Sequence, residues 1–222
     1  MRTPRGPFRV PEGRAVTGIV LAGGVSRRMG VAKALLRVNG DTFLERAVSR
    51  LRGICARIIV SASPELCWAG ACSCHSPLDL PGLTIVRDEA PDLGPLAGII
   101  GGLAASSDDW HVVLACDLPL VRAEVLDLLV RRAKADECDA VVPRAGGRLQ
   151  PLVAAYSRRC LEPGRAALKG GKRAVAAMLD QVRVVVVEEA ELREADPDLG
   201  SFFNVNTWED YRAICGHRHD TG

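Results

Sequence analysis

Three sets of residues in this chain combine chemically useful types with suggestive spacing: a glycine pair followed by cations, aspartates behind apolar runs, and two asparagines near the end. The first set lies in residues 18–33. There the run Ile19-Val20-Leu21-Ala22 gives way to Gly23-Gly24, with Arg27, Arg28 and Lys33 behind it. Glycines let a backbone turn tightly and aim its N–H groups at an anion without Cβ obstruction. The charges that follow suit the oxygens of a polyphosphate, so a nucleoside triphosphate is the ligand this stretch suggests. Glycine pairs behind strands also mark plain turns, and the cations are what favour phosphate here. No Gly-x-x-x-x-Gly-Lys-Ser/Thr occurs, and Gly23, Gly24 and Gly30 do not fit Gly-x-Gly-x-x-Gly. Neither the P-loop nor the dinucleotide fingerprint therefore applies.

Asp117 stands just behind residues 110–115, whose near-continuous apolar character predicts a strand buried on both faces. Open α/β sheets bind ligands outside the carboxyl ends of their strands, and Pro119 stops the strand there. The other job for this aspartate is capping a helix over residues 122–135, but the break at Pro119 leaves it early for that. Asp88 holds a similar position behind the β-branched run Leu83-Thr84-Ile85-Val86. Asn204 and Asn206 precede Thr207, whose spacing to Asp210 resembles a capping box opening a last helix. On extended chain, the two amides face one side. Turn and capping service is the other reading of them.

The elements that must position these groups alternate along the chain. Residues 34–38 read as a short extended piece, Asn39-Gly40 as a turn, and Thr42-Phe43-Leu44-Glu45 as a capping box. The helix it opens carries Phe43, Leu44, Ala47, Val48 and Leu51 at helical period and should pack on the sheet. Strands are expected at 57–60, 83–86, 110–115, 139–143 and 182–187, and helices over 94–103, 122–135, 158–169 and 172–181. Each of the four glycines in 94–103 weakens that helix by about 1 kcal/mol against alanine. That cost speaks equally for contact with a ligand and for close packing on the sheet. Arg144-Ala145-Gly146-Gly147 reads as a hairpin turn into 148–156, where Pro151 argues for an edge position. The alternation predicts an α/β fold, a mainly parallel sheet with helices on both faces. One domain is expected over 16–216, between a disordered extension at 1–15 and a frayed tail at 217–222.

At 222 residues, 48% hydrophobic and 25% charged, the chain has ample material for a core. A net charge of +2 and 4% aromatic residues give neither a basic footprint nor a stacking platform, so no nucleic-acid partner is expected. No run reaches the roughly eighteen apolar residues of a membrane helix, and residues 1–14 lack the apolar segment of a signal peptide. No membrane association and a cytoplasmic location follow as expectations. The eight cysteines are then reduced thiols, most of them small buried hydrophobes. Cys67, Cys72, Cys74 and His75 crowd together without the paired Cys-x-x-Cys spacing of a zinc site, and read as a cysteine-rich loop.

In these residues the chain resembles the molybdenum cofactor guanylyltransferases, nucleotidyltransferases with a Rossmann-like three-layer α/β/α fold. The resemblance runs over residues 17–215 and rests on four segments. They are Leu21-Ala22-Gly23-Gly24 through Arg28-Met29-Gly30 to Lys33, Gly94-Pro95-Leu96-Ala97-Gly98, Cys116-Asp117-Leu118-Pro119 and Phe203-Asn204-Val205-Asn206-Thr207. The first and third indicate the wider superfamily, and the other two narrow it. The resemblance implies that Leu21, Ala22 and Gly23 hold guanine and ribose, with Gly24 and Asp88 also on the nucleotide. It gives the phosphates to Lys33 and Arg28, and a Mg²⁺ ion to Asp117. Asn206, with Asn204 beside it, completes the metal or pterin-phosphate side. Gln150 and Pro151 fall in Arg148-Leu149-Gln150-Pro151-Leu152, which matches a segment lining the pterin in relatives. Ser61 replaces an asparagine found in some relatives, which removes the support for a nucleotide contact from that strand end.

The implied reaction transfers GMP from GTP to molybdenum-molybdopterin and releases pyrophosphate. Proteins that donate and receive the cofactor would be transient partners. The acceptor is a terminal phosphate with a second pKa of about 6, already charged, so no general base is required. The difficulty is one anion meeting another, which Mg²⁺, Lys33 and Arg28 would relieve. The absence of a persuasive Ser/His/Asp set agrees with that. Two other readings remain. Cytidylyltransferase relatives tend to carry Ala where Gly23 stands and lack the 94–98 segment as written. A non-catalytic carrier of nucleotide or molybdopterin has no need of either Lys33 or Asp117.

Overall fold

The computed structural model describes residues 16–23, 29–62, 83–87 and 94–216, Arg87 by its backbone alone. Strand β1 (Val16–Leu21) leads, past a 3₁₀ turn at Lys33–Leu35, into a small hairpin, β2 (Arg37–Val38) and β3 (Asp41–Thr42). Asn39 and Gly40 make its turn with φ of 53° and 91°, the left-handed backbone a tight two-residue hairpin turn demands. Helix α1 (Phe43–Arg52) follows at once. The Thr42 hydroxyl accepts the Glu45 N–H at 3.1 Å, and the Glu45 carboxylate accepts the Thr42 N–H at 2.6 Å. Two otherwise orphaned donors are thereby satisfied, as the capping-box spacing predicts. Phe43, Leu44, Ala47, Val48 and Leu51 form the buried stripe.

Next come β4 (Arg57–Ala62), β5 (Leu83–Arg87), α2 (Gly94–Ala104), β6 (Trp110–Ala115) and α3 (Ala123–Ala135). The chain continues through β7 (Ala140–Ala145), β8 (Arg148–Leu149), β9 (Val153–Ser157), α4 (Leu161–Lys169), α5 (Ala176–Leu179), β10 (Val184–Val187), α6 (Glu189–Ala195) and α7 (Trp208–Gly216). The main sheet has the order β10-β7-β9-β6-β1-β4-β5, with β8 paired to β7. Neighbours β1, β4, β5 and β6 pair in parallel, as do β7 and β10, while β9 runs antiparallel to β6 and β7. Apolar side chains fill both faces. One core gathers α1, α3 and Val205, and the other gathers α2, α4 and α5. The expected mainly parallel sheet between two helical layers is what forms.

The glycines of α2 answer the question their cost raises. A Cβ on Gly102 would stand 2.7 Å from Ile19, and one on Gly98 would stand 2.8 Å from the Ser61 hydroxyl and 3.0 Å from Leu21. These glycines let the helix backbone lie against β1 and β4, so close packing is the reason at these two positions. Ser61 is buried under Gly98 and belongs to that contact.

Other expectations are corrected. Pro151 does not mark an edge: β9 is an internal strand, and Pro151 sits in the turn before it, where no ladder hydrogen bond is asked of its nitrogen. Of 172–181 only Ala176–Leu179 is α-helical, and of 34–38 only Arg37–Val38 is strand. Helix α6 has no counterpart in the sequence reading, since Leu192 is its one buried residue and a lone apolar position makes no stripe. The expected extension, tail and cysteine-rich loop lie outside the described residues, as does the chain just beyond Arg87 that holds Asp88.

Candidate active site

The chain leaves β1 for β4 and β5 on one side and later returns to place β6 on the other. The crevice at the carboxyl ends of β1 and β6 is therefore the point where the strand order reverses, the usual ligand position in an open α/β sheet. Leu21 and Ala22 lie in that crevice's wall. The Cys116 N–H donates to Leu21 O at 3.1 Å, and the Ala22 N–H donates to Ser61 O at 2.8 Å. Ala22 is buried and Gly23 exposed, so the backbone reaches the surface where the glycines begin.

Asp117 follows β6 in a turn, with Leu118 N–H on Ala115 O. It is no helix cap, because α3 begins only after Arg122. Its Oδ2 accepts from Lys33 Nζ at 3.1 Å. Lys33 Nζ also donates to Asn206 Oδ1 at 2.7 Å. Residues separated by 84 and 173 positions thus meet around one ammonium. The other carboxylate oxygen, Asp117 Oδ1, is buried without a hydrogen-bond partner among the described residues. A carboxylate oxygen in that condition is costly unless something binds it.

Each arm of this cluster is held by local structure. Lys33 opens the 3₁₀ turn, whose Leu36 N–H returns to the Lys33 carbonyl at 3.0 Å. The Val205 N–H donates to Asp117 O at 3.0 Å, tying the asparagine segment to the aspartate turn. Asp210 then fixes Asn206 from the start of α7. Its carboxylate accepts the N–H groups of Asn206 at 2.9 Å and Thr207 at 2.8 Å, and these bonds hold its pKa below the usual range. The Asp210 N–H donates to the Thr207 hydroxyl at 3.1 Å, completing the box read in the sequence. Behind it, buried Asp196 accepts the Ser201 N–H at 2.7 Å and pairs with Arg122 at 3.2 Å, anchoring the segment to the start of α3. Neither Asp210's grip on Asn206 nor Asp196's anchoring belongs to the site predicted from sequence. The Thr207 to Asp210 spacing held the signal for the first, and nothing local held one for the second.

Asn204 makes no bond to this cluster, and its amide oxygen is buried without a partner among the described residues. Gln150 and Pro151 lie on the same rim. The Ala115 N–H donates to Leu152 O at 2.9 Å, which sets the start of β9 beside the Asp117 turn. The Gln150 side chain donates to Ala145 O at 3.2 Å, and Pro151 O accepts from the Tyr156 hydroxyl at 2.7 Å. Gly24, Arg28 and Asp88 fall outside the described residues. Cys116, though next to Asp117, is no nucleophile: burial pushes its thiol far above the ordinary range.

The donor set suits a hard cation. Asp117 and Asn206 offer oxygens at one point, and Asp117 Oδ1, without a partner among the described residues, adds another. Among the described residues no cluster of three or more His, Cys, Asp or Glu forms a full metal cage. One or two protein oxygens with substrate phosphates are what Mg²⁺ commonly uses.

Residues 18–191 match the model of the MobA-like NTP transferase domain. The chain belongs to this family. A molybdenum cofactor guanylyltransferase of Desulfosudis oleivorans is 36% identical over 88% of this chain and 92% of its own length. A probable one from Methanosarcina mazei is 38% identical over 90% of each. Among solved structures, the molybdopterin-guanine dinucleotide biosynthesis protein A of Archaeoglobus fulgidus superposes with a TM-score of 0.77 at 27% identity, over 90% of this chain and 97% of that one. This MobA-like NTP transferase therefore carries its Lys33, Asp117 and Asn206 at the ligand crevice of a nucleotidyltransferase fold. Among its described residues, no helix is long and apolar enough to cross a membrane.

Proposed function

We propose that this protein transfers GMP from GTP to molybdenum-molybdopterin, forming the guanine dinucleotide cofactor and pyrophosphate, with Mg²⁺ as cofactor. The observation that carries the reading is the meeting of Lys33, Asp117 and Asn206 at the strand-order reversal, in a chain whose relatives bear that activity in their names. Leu21, Ala22, Gly23 and Gly24 receive guanine and ribose, assisted by Asp88. Lys33 and Arg28 meet the phosphates. Asp117 and Asn206 hold Mg²⁺, which supplies charge neutralisation at the reacting phosphates. Gln150, Pro151 and Asn204 face the pterin.

An oxygen of the acceptor's terminal phosphate attacks the α-phosphorus of GTP. The new P–O bond forms as the bond to the β-phosphate breaks, and pyrophosphate leaves with the electron pair. Because the attacking oxygen is already anionic near neutral pH, no side chain needs to take a proton. The protein's work is positioning and charge stabilisation. Among the described residues the one histidine, His111, is buried in the sheet and out of reach of the crevice. Buried free thiols at Cys55, Cys116, Cys138 and Cys160 support a reducing, cytoplasmic setting. Brief contacts with the proteins that deliver and receive the cofactor complete the reading. Pyrophosphate release measured with each nucleoside triphosphate, Mg²⁺ and purified molybdenum-molybdopterin tests it. GTP should support release; activity with CTP alone would overturn the base assignment.

A further inference from the structure

Lys33 stands where the charge of a metal ion is wanted. Its ammonium bonds Asp117 Oδ2 at 3.1 Å and Asn206 Oδ1 at 2.7 Å, the two side chains assigned above to the divalent cation. An ammonium and a divalent cation cannot both occupy the point where those oxygens converge, for reasons of volume and of like charge. We propose that Lys33 is the resident cation of this site. It neutralises Asp117 while nucleotide is absent and moves to the triphosphate as nucleotide and metal enter together. The inference rests on the reading of Asp117 and Asn206 as the metal's ligands.

The side chain is built for such an exchange. The 3₁₀ turn fixes the Lys33 backbone, while a four-carbon stem lets the compact ammonium swing. With 14% of its side chain exposed, Lys33 lies mostly within the protein and its head is already at the mouth of the crevice. The resident fit is also incomplete. Among the described residues Asp117 Oδ1 has no hydrogen-bond partner with Lys33 in place, so the carboxylate keeps binding capacity that the ammonium does not use. Triphosphate oxygens supply both missing pieces at once, a new partner for the ammonium and further ligands for the metal. Metal alone, with no phosphate to receive Lys33, must break two charge-assisted bonds to enter.

The consequence runs against the usual effect of deleting an active-site cation: removing Lys33 should tighten metal binding to the nucleotide-free protein. Equilibrium dialysis of the full-length protein against Mn²⁺, with and without GTP on both sides and without acceptor, tests it. Without GTP, Lys33→Met and Lys33→Gln should each bind Mn²⁺ on the order of tenfold more tightly than the natural protein, the fold-change expected from no longer breaking charged hydrogen bonds. Equal or weaker nucleotide-free binding by both folded variants overturns the proposal. Asp117→Asn separates the two layers. If it removes GTP-dependent uptake while the Lys33 variants gain nothing, the resident-cation role alone fails. If it leaves that uptake unchanged, the metal assignment fails and the inference goes with it.

Discussion

A polar residue stands near each end of strand β6, and the two have opposite fates. His111, in register with Thr17 of β1 and Tyr156 of β9, is completely buried, and burial pushes its imidazole down to about 4. Asp117, just past the other end, keeps 20% of its side chain exposed and faces groups from two distant segments. Polarity in the sheet therefore does not mark a site by itself. At the amino end the protein neutralises and seals the group; at the carboxyl end it leaves the charge accessible and brings to it a cation that an amide oxygen shares.

Breaking the open end should have the largest effect. Asp117→Asn should cut turnover by roughly 100- to 1000-fold, the range seen when a group stabilising transition-state charge is lost, with little change in melting temperature. Parallel pyrophosphate-release and thermal-unfolding measurements check this, and unchanged turnover would remove Asp117 from the mechanism. The sealed end should respond to pH instead. Unfolding frees His111 to bind a proton below its ordinary pKa of about 6.5, whereas the folded protein resists protonation until about 4. The unfolded state then holds more protons across that window, so this contribution is complete above pH 6.5 and is lost as pH falls towards 4. The loss amounts to about 3 kcal/mol, and denaturant melts between pH 4 and 7 should show His111→Leu with a visibly flatter acid limb.

A smaller effect tests how the open end is held. Asp210→Ala removes the acceptor for the Asn206 and Thr207 N–H groups without touching Lys33 or Asp117. It should lower turnover about tenfold through misplacement of Asn206, and Asp210→Asn, which still accepts a hydrogen bond, should recover part of that. Equal kinetics for Asp210→Ala and the natural protein would leave Asp210 a helix cap only. The smallest effect lies behind the crevice. Gly102→Ala sets a methyl against Ile19, and the cost of overpacking less the gain in helix propensity leaves a net loss of about 1 kcal/mol by chemical denaturation.

Local sequence carried much of the fold. The Thr42 to Glu45 box, the Asn39-Gly40 turn and the apolar run ahead of Asp117 each act within a few residues, so their geometry could be read from spacing. The place of β9 could not. Its antiparallel insertion between β6 and β7 is a long-range pairing, and Pro151, two residues outside the strand, carries no information about it. The site was legible in its parts, since Lys33, Asp117 and Asn206 were each singled out by residue type and position. Their direct contact was not, because it depends on side chains 84 and 173 residues apart. The glycines of α2 could be argued either way until Ile19, Leu21 and Ser61 were seen against them.

The most direct test of the account is identification of the product by mass spectrometry after incubation with GTP, Mg²⁺ and molybdenum-molybdopterin, for the natural protein and Asp117→Asn side by side. Guanine dinucleotide cofactor, with pyrophosphate in equal amount, is expected from the natural protein and only a trace from the variant. Absence of that product from the natural protein, or its formation in equal yield by Asp117→Asn, would contradict it.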